Sequence, residues 1–220
     1  NIDSNYNPFS SSNKSNVSKE IINENLNFIN IGEPEQSFRF VQLKKKYILR
    51  TSNNSAVIID QRKAHQRILF EYFNSNSNNQ EFLSQTLIFP KEISLNNNDI
   101  QILKEISSDI RKIGFEYILD NRNIIIKAIP AEASAENITH LLESIIEQYK
   151  TEDEVNLDNR NKIARGLAIS MSISNNQKLS EDEMVKINAE LNNCSSPNRS
   201  ISGKPIIIDL NLVELEKIIK

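Results

Sequence analysis

Metal binding and nucleophilic catalysis draw on a small set of side chains, and this sequence holds few of the strongest ones. It contains two histidines, His65 and His140, and a single cysteine, Cys194. One cysteine excludes a disulfide within the chain. Three such side chains are too few for a four-ligand zinc site built from cysteine and histidine alone. The lack of a disulfide framework is typical of a reducing, cytoplasmic setting.

Positive charge is concentrated in one stretch of the chain. Residues 39–67 hold eight cationic side chains against one carboxylate, a local net charge of +7 in a protein whose formal net charge is -3. Because a polyanion responds to local charge, the stretch predicts weak, salt-dependent, sequence-independent contact with a DNA backbone. The alternative is a solvated strand-and-helix face. The predicted DNA-binding residues are Arg62, Lys63, Arg67, Lys44, Lys45 and Lys46.

The beginning of the chain differs in composition from the remainder. Residues 1–36 are rich in asparagine and serine and carry only scattered apolar side chains. Such a segment cannot bury enough apolar surface to offset its ordering entropy, so we predict a disordered polar linker. A linker in this place indicates one piece of a longer protein. No apolar run approaches the ~18 residues of a membrane span, and no signal peptide is visible.

From residue 37 onward the hydrophobic pattern predicts a mixture of strands and helices, an α+β fold. Strands are predicted near 38–42, 47–49, 56–59, 86–89, 92–95, 115–119, 124–129 and 206–208. Helices are predicted over 61–73, 99–113, 135–150, 160–174, 181–192 and 212–219. Asn98 is the predicted cap of the second helix, and Ser180 with Glu183 predicts a capping box. Polar breaks at 74–79 and 151–159 predict two lobes.

Several short motifs follow one another along the chain. They are Gln42–Leu49, Val57–Glu71, Gln85–Pro90, Ile113–Glu116, Ile129–Pro130, Ala164–Ala168 and Gly203–Ile207. Together they resemble the C-terminal domain of the MutL family of DNA mismatch-repair proteins. The resemblance implies a dimerisation lobe made of 37–79 and 156–220, with 80–155 inserted as an external, regulatory lobe. It also implies that 1–36 tethers this domain to an N-terminal ATPase.

In many members of that family this domain is a metal-dependent endonuclease whose signature begins Asp-Gln-His-Ala and continues with glutamates. Carboxylate, histidine and cysteine ligands there hold cations that activate water. This sequence keeps Asp60, Gln61 and Glu71, which define a degenerate nuclease site. The departures are Arg62 for histidine, Lys63 for alanine, Gln66 for glutamate, Ile169 and Ser170 after Ala168 in place of cysteine and the next ligand, and Ser200–Pro205 for Cys-Pro-His-Gly-Arg-Pro.

These departures oppose metal binding. Arg62 and Lys63 would place two cations where a divalent metal should lie, and like charges repel. We therefore predict no catalytic residue, no metal site and no cofactor in this domain. Asp60 is interpreted as a helix cap, Glu71 as an ion-pair partner, and His65 as an ordinary surface or packed histidine. The alternative is a divergent metal-dependent DNA-nicking endonuclease that uses Asp60 and Glu71.

The segment Gln85–Pro90 resembles the family's sliding-clamp-binding motif. Gln85 would hydrogen-bond the rim of a pocket on the clamp, while Leu87, Ile88 and Phe89 would supply apolar anchors from an extended strand. The alternative is an edge strand whose apolar side chains face the protein's own core.

The resemblance as a whole implies a non-catalytic homodimer that acts as a matchmaker in mismatch repair. The expected partners are a second copy of the chain, a DNA sliding clamp, DNA, and a mismatch-recognition protein that acts through the full-length chain; no membrane contact is expected. We expect a bacterial, cytoplasmic, nucleoid-associated protein. The remaining alternative is an unrelated α+β adaptor that shares these motifs by chance. The pattern alone does not separate core residues from dimer-interface residues.

Overall fold

The computed structural model describes residues 38–53, 55–75, 82–120, 122–151, 158–211, 217 and 219. The strands are β1 (Arg39–Leu43), β2 (Tyr47–Thr51), β3 (Ala56–Asp60), β4 (Ser84–Ser94), β5 (Glu116–Asp120), β6 (Asn123–Pro130) and β7 (Ile207–Leu210). The helices are α1 (Gln61–Ser75), α2 (Asn97–Glu105), α3 (Ser107–Lys112), α4 (Ile138–Lys150), α5 (Asn159–Met171) and α6 (Glu181–Asn192). A 3-10 turn, Ala135–Asn137, precedes α4.

Four antiparallel strands in the order β1-β2-β3-β7 form the terminal sheet, so called because its strands come from both ends of the described chain. Successive strand residues point to opposite faces, and one face carries Ile48 and Ile59, both 0% exposed. Ala64 of α1 and Ile187 and Leu191 of α6 join the same apolar cluster. The inner face of the terminal sheet therefore packs against these two helices.

Three antiparallel strands in the order β4-β6-β5 form a second sheet, the middle sheet. Ile124 and Ile126 of its central strand are buried in a cluster with apolar residues of α2, α3 and α4. Helix α5 packs against both α1 and α4. A β-carbon on Gly166 of α5 would lie 2.6 Å from the α-carbon of Ile145 of α4, so only glycine permits this close approach.

The prediction of two separate strands on either side of Pro90 is wrong. The structure has a single strand, β4, that runs through the proline. Its register with β6 shifts between Thr86 and Lys91, so the residues between them form a bulge on an edge strand. Proline lacks the N–H that a sheet ladder requires, and such a bulge tolerates it. The bulge lies within the predicted clamp-binding segment.

The helix predicted over 99–113 is also corrected. Asn96, rather than Asn98, caps α2, because its side-chain oxygen accepts the Asp99 N–H at 2.9 Å. The helix is interrupted at the buried Ile106, where α3 begins as a separate element. Three successive asparagines offer equivalent caps to a sequence pattern, and the packing of the helix selects one of them.

The α+β class and the capping box of Ser180 and Glu183 at α6 are confirmed. Outside the described residues lie the predicted linker 1–36, most of the predicted breaks 74–79 and 151–159, and most of the predicted helix 212–219. The division into two lobes therefore stays a prediction. Within the described ranges, none of the helices combines the length and the apolar character needed to cross a membrane.

Candidate functional site

Three lysines of the basic stretch lie at the turn between β1 and β2. Lys44 and Lys45 have φ angles of 50° and 51°, and the Lys46 N–H donates to the Leu43 carbonyl at 3.0 Å. Positive φ at both central positions is typical of a type I′ turn, and three residues connect the strands because Leu43 pairs with Tyr47. Lys44, Lys45 and Lys46 are all exposed, so this lysine turn presents three cations to solvent.

Asp60 ends β3 and caps α1, as predicted. One carboxylate oxygen accepts the Lys63 backbone N–H at 3.1 Å, and the other lies 3.0 Å from the Lys63 ammonium nitrogen. An aspartate at this position satisfies an N–H that the first helical turn leaves without a partner. Both oxygens of Asp60 are therefore engaged by Lys63, one of the residues predicted to bind DNA.

Gln61, the next residue of the degenerate nuclease site, is a buried polar connector. Its side chain is 1% exposed. Its amide nitrogen donates to the carbonyls of Lys45 at 3.0 Å and Gln177 at 3.2 Å, and its amide oxygen accepts from the Gln42 side chain at 2.7 Å. Gln42 also donates to the Gln177 carbonyl at 2.8 Å and accepts the Leu179 N–H at 3.2 Å. This amide pair ties the lysine turn to the loop before α6.

His65 and Gln66 contact the segment that follows α5. Nδ1 of His65 accepts the Ile173 N–H at 3.0 Å, which places the proton of the neutral imidazole on Nε2. The Gln66 amide donates to Ser172 Oγ at 3.4 Å. Burial, with a smaller contribution from Lys186, lowers the pKa of His65 from 6.5. His65 is therefore a packed histidine, in agreement with its interpretation from the sequence.

Arg67 and Glu71 bind the loop between α6 and β7. Arg67 donates through Nε to the Arg199 carbonyl at 2.7 Å and through Nη2 to the Ser200 carbonyl at 2.9 Å. Glu71 accepts from the Ser195 N–H at 2.6 Å and the Ser195 hydroxyl at 3.0 Å. Nη1 of Arg67 also lies 3.6 Å from Oε1 of Glu71, so Glu71 is the predicted ion-pair partner.

Two serines that stand where the resemblance places further metal ligands are bonded to protein neighbours. Ser170 Oγ lies 2.9 Å from Nδ1 of His140, and Ser202 Oγ lies 3.1 Å from Ser200 Oγ. A cavity of about 340 Å³ opens beside Ser170 and is lined mainly by hydroxyl, amide and apolar side chains. In the part of the chain that the structure describes, no three His, Cys, Asp or Glu side chains cluster as a metal site would require.

The environment of the single cysteine disfavours its reactive form. Cys194 is partly buried, and its thiol donates to the Glu190 carbonyl at 3.5 Å. Burial, followed by the nearby Glu71 carboxylate, raises the pKa of the Cys194 thiol to about 11. The nucleophilic form of a cysteine is the thiolate, and burial disfavours that form of Cys194.

The predicted clamp-binding segment divides between inward and outward side chains. The Gln85 amide donates to the carbonyls of Pro130 at 3.3 Å and Ala133, so its hydrogen bonds are made within the protein. Leu87 packs against the core. Ile88 and Phe89, in the bulge of β4, are 91% and 84% exposed. The bulge therefore presents two adjacent apolar side chains to solvent.

The outer face of the terminal sheet carries an apolar row that sequence reasoning missed. Strand register places Val41 opposite Leu49, Leu49 opposite Ile58, and Ile58 opposite Ile208. Val41 is 52% and Ile208 56% exposed, and Leu49 and Ile58 are partly exposed. The alternation of side chains along β1 was the sequence signal that could have revealed this row. The apolar run Ile206–Ile208, by contrast, predicts a strand that is buried. Only Ile206 is buried, because Ile208 faces outward.

The chain matches the model of a known protein family. The family model of the MutL C terminal dimerisation domain matches residues 40–179. The chain therefore belongs to the MutL C-terminal dimerisation domain family, and the resemblance seen in its motifs is confirmed.

Curated relatives of the chain carry the name DNA mismatch repair protein MutL. The relative from Chloroherpeton thalassium is 36% identical over 182 residues, which are 81% of this chain and 28% of the relative. The relative from Ehrlichia chaffeensis is 28% identical over 215 residues, which are 96% of this chain and 31% of the relative. The relative from Flavobacterium psychrophilum is 28% identical over 178 residues, 80% of this chain and 29% of the relative. The chain thus spans about three-tenths of the length of these relatives.

The bond between His65 and Ile173 predicts a pH-dependent stability. The pKa of His65 is lower in the folded chain than in the unfolded chain, so the unfolded chain binds the proton more readily. Neutral His65 stabilises the folded chain. This stabilisation is fully present above the unfolded pKa of about 6.5, and it is lost as the pH falls through that value towards the folded pKa. Urea unfolding at pH 8 and pH 5.5 should show a larger loss of unfolding free energy for the wild type than for His65→Asn, whose side-chain oxygen can replace Nδ1. Equal losses in the two proteins would contradict this account.

Proposed function

We propose that this chain is a non-catalytic homodimerisation and interaction domain of a mismatch-repair protein, which dimerises through the outer face of the terminal sheet. The observation that carries the proposal is the exposed row Val41, Leu49, Ile58 and Ile208. An apolar patch that crosses all four strands is unusual on a monomer and typical of an interaction surface. Membership of a dimerisation family makes a second copy of the chain its natural occupant.

The geometry of the row suits a two-fold interface. In an isologous dimer the same patch meets itself, so each apolar row packs across the axis against its equivalent. Two sheets that pack face to face lie about 10 Å apart and interdigitate their side chains. Leu43 and Tyr47 extend the face at the hairpin end. The interface is thus assigned to strands from both ends of the described chain, in agreement with the predicted dimerisation lobe.

The contacts at the degenerate nuclease site support a non-catalytic domain. A divalent metal would need free oxygens, yet both oxygens of Asp60 are engaged by Lys63. Glu71 accepts from Ser195 and lies beside Arg67. A metal bound at either carboxylate would have to displace these donors and tolerate two nearby cations. These side chains therefore serve the fold rather than water activation.

We assign sliding-clamp docking to the bulge of β4. Ile88 and Phe89 are the exposed apolar anchors, whereas Gln85 and Leu87 hold the bulge to the protein through the Ala133 carbonyl and the core. Apolar side chains from an extended segment are typical of peptide recognition by a pocket on a partner. Part of the segment therefore faces the core, as expected of an edge strand, and part faces outward, as expected of a clamp-binding motif.

We assign weak DNA contact to the lysine turn. Lys44, Lys45 and Lys46 are exposed, whereas Lys63 pairs with Asp60 and Arg67 donates to loop carbonyls. Exposed ammonium groups release counterions when they neutralise phosphates, and this gives sequence-independent affinity. The turn is therefore a better candidate than Lys63 or Arg67.

In the full-length bacterial protein, the dimer would act as a matchmaker at the nucleoid. The two copies would hold their N-terminal ATPase regions together, and those regions would meet the mismatch-recognition protein. The middle segment, 80–155, would form the outer regulatory lobe that carries the clamp-docking bulge. The family match supports the mismatch-repair setting, since the curated relatives are named for that process.

Glutamate at Val41 or Ile208 should abolish dimerisation at micromolar concentration. Both substitutions would bury unpaired carboxylates at a two-fold interface, so the dissociation constant should rise by about 100-fold or more. Sedimentation velocity over a concentration series measures this change. Ile118→Glu is the matched control, because Ile118 is 46% exposed on β5 of the middle sheet. Dimers of unchanged affinity in both Val41→Glu and Ile208→Glu would refute the assigned interface.

The double variant Ile88→Ala, Phe89→Ala should lose capture by an immobilised bacterial sliding clamp. Removing the exposed anchors should weaken binding by about 30-fold or more, because apolar anchors dominate such short motifs. Leu83→Ala is the control, since Leu83 is 77% exposed just before the same strand. Surface plasmon resonance provides the affinities. Equal capture of the double variant and the wild type would rule out docking through the bulge.

Replacing Lys44, Lys45 and Lys46 with glutamine should weaken binding to every DNA duplex tested and flatten its salt dependence. The slope of log K against log salt should fall in magnitude by up to about 0.9 for each phosphate that is no longer neutralised. Fluorescence anisotropy at several salt concentrations measures the slope. The same change at Lys104, Lys112 and Lys127, which are exposed elsewhere, is the control for net charge. An unchanged slope in the turn variant would exclude the turn as the DNA-binding surface.

A further inference from the structure

The contacts of Arg67 and Glu71 link helix α1 to the loop that leads into β7. Arg67 donates to the carbonyls of Arg199 and Ser200, and Glu71 accepts from Ser195 and from the Ser196 N–H at 3.2 Å. We call Arg67 and Glu71 the loop clip. Hydrogen bonds with one charged partner are stronger than neutral ones, and the planar guanidinium fixes two carbonyls at once.

The loop clip contacts a loop whose internal hydrogen bonds join residues that are close in sequence. Within it, the Ser200 N–H donates to the Lys204 carbonyl at 2.8 Å, and the Ile206 N–H donates to the Asn198 carbonyl at 3.0 Å. At its far end, the Ile206 carbonyl accepts the Asp60 N–H at 3.0 Å. The loop is thus fixed to α1 by the clip and to the end of β3 by Ile206. Directly after the second anchor the chain enters β7.

Strand β7 depends on that anchoring because it lies at the edge of the terminal sheet. In the described sheet it is bonded only to β3, with Ile58 opposite Ile208. A one-residue slip of an edge strand would turn Ile208 from the outer face to the inner face. The anchored loop thus supports the β3–β7 register that completes the apolar row.

We propose that Arg67 and Glu71 are positioning residues for the dimer interface, which hold the 195–200 loop so that β7 presents Ile208 on the outer face. This inference rests on the proposed dimerisation through that face. It also gives the retained glutamate of the degenerate nuclease site a structural role. Glu71 accepts three hydrogen bonds at Ser195 and Ser196, and a carboxylate offers acceptors only. The neutral amide of glutamine would turn an N–H group towards one of these donors.

Glu71→Gln tests the clip, with Glu190→Gln as the matched control. Glu190 is also a helical carboxylate with an (i, i+4) partner, Lys186, at 3.8 Å. Hydrogen–deuterium exchange on the intact chain should show exchange in residues 195–210 about tenfold faster or more in Glu71→Gln, with α4 and α5 unchanged. The dimer dissociation constant should rise by about tenfold, and Glu190→Gln should change neither quantity.

The exchange and dissociation measurements test the loop clip and the proposed dimer interface independently. Faster exchange in 195–210 with an unchanged dissociation constant would overturn the coupling, while the assigned interface would stand if Ile208→Glu still dissociates the dimer. Unchanged exchange in Glu71→Gln would overturn the clip itself. Because global unfolding would speed exchange in α4 and α5 as well, Arg67→Lys provides a second variant. This variant keeps the positive charge but loses the planar guanidinium that donates to two carbonyls. It should speed exchange in residues 195–210 and raise the dimer dissociation constant.

Discussion

The polar side chains of helix α1 are the constraint on which the rest of the structure depends. Along one helix, Gln61 is bonded to the lysine turn, His65 to the segment after α5, and Arg67 to the loop before β7. Each bond satisfies a backbone group of a loop that is distant in sequence, and a buried backbone group without a partner is costly. The helix therefore organises three loops that come from different parts of the sequence.

The surfaces assigned to partners lie in three places on the fold. The apolar row crosses the terminal sheet, the bulge with Ile88 and Phe89 lies on an edge of the middle sheet, and the lysines lie at the end of a hairpin. The apolar row and the bulge lie on different sheets and can be altered separately, whereas the lysine turn adjoins Leu43 and Tyr47 at the end of the dimer face. Under the proposed function the domain acts through binding, so its exposed groups matter more than its cavities.

Local features of the fold could be predicted because neighbouring residues encode them. The capping box of Ser180 follows from spacing alone, and Asp60 as a cap follows from its place between strand and helix. The sequence could not predict which cationic side chains bind other parts of the protein and which face solvent. Arg67 has the same charge as the lysines of the turn, but its partner Arg199 lies 132 residues away. Likewise, Ile208 belongs to an apolar run that is typical of a core, and only its register with β3 places it on the outer face.

Native mass spectrometry of the purified chain tests the central claim most directly, after incubation with zinc and manganese and removal of the free ions. If side chains of α1 have replaced metal ligands and the outer face joins two copies, the dominant species has the mass of two chains without retained metal. A dimer that keeps stoichiometric metal, and loses it in Asp60→Asn, would contradict the account. So would a chain that remains monomeric at high micromolar concentration.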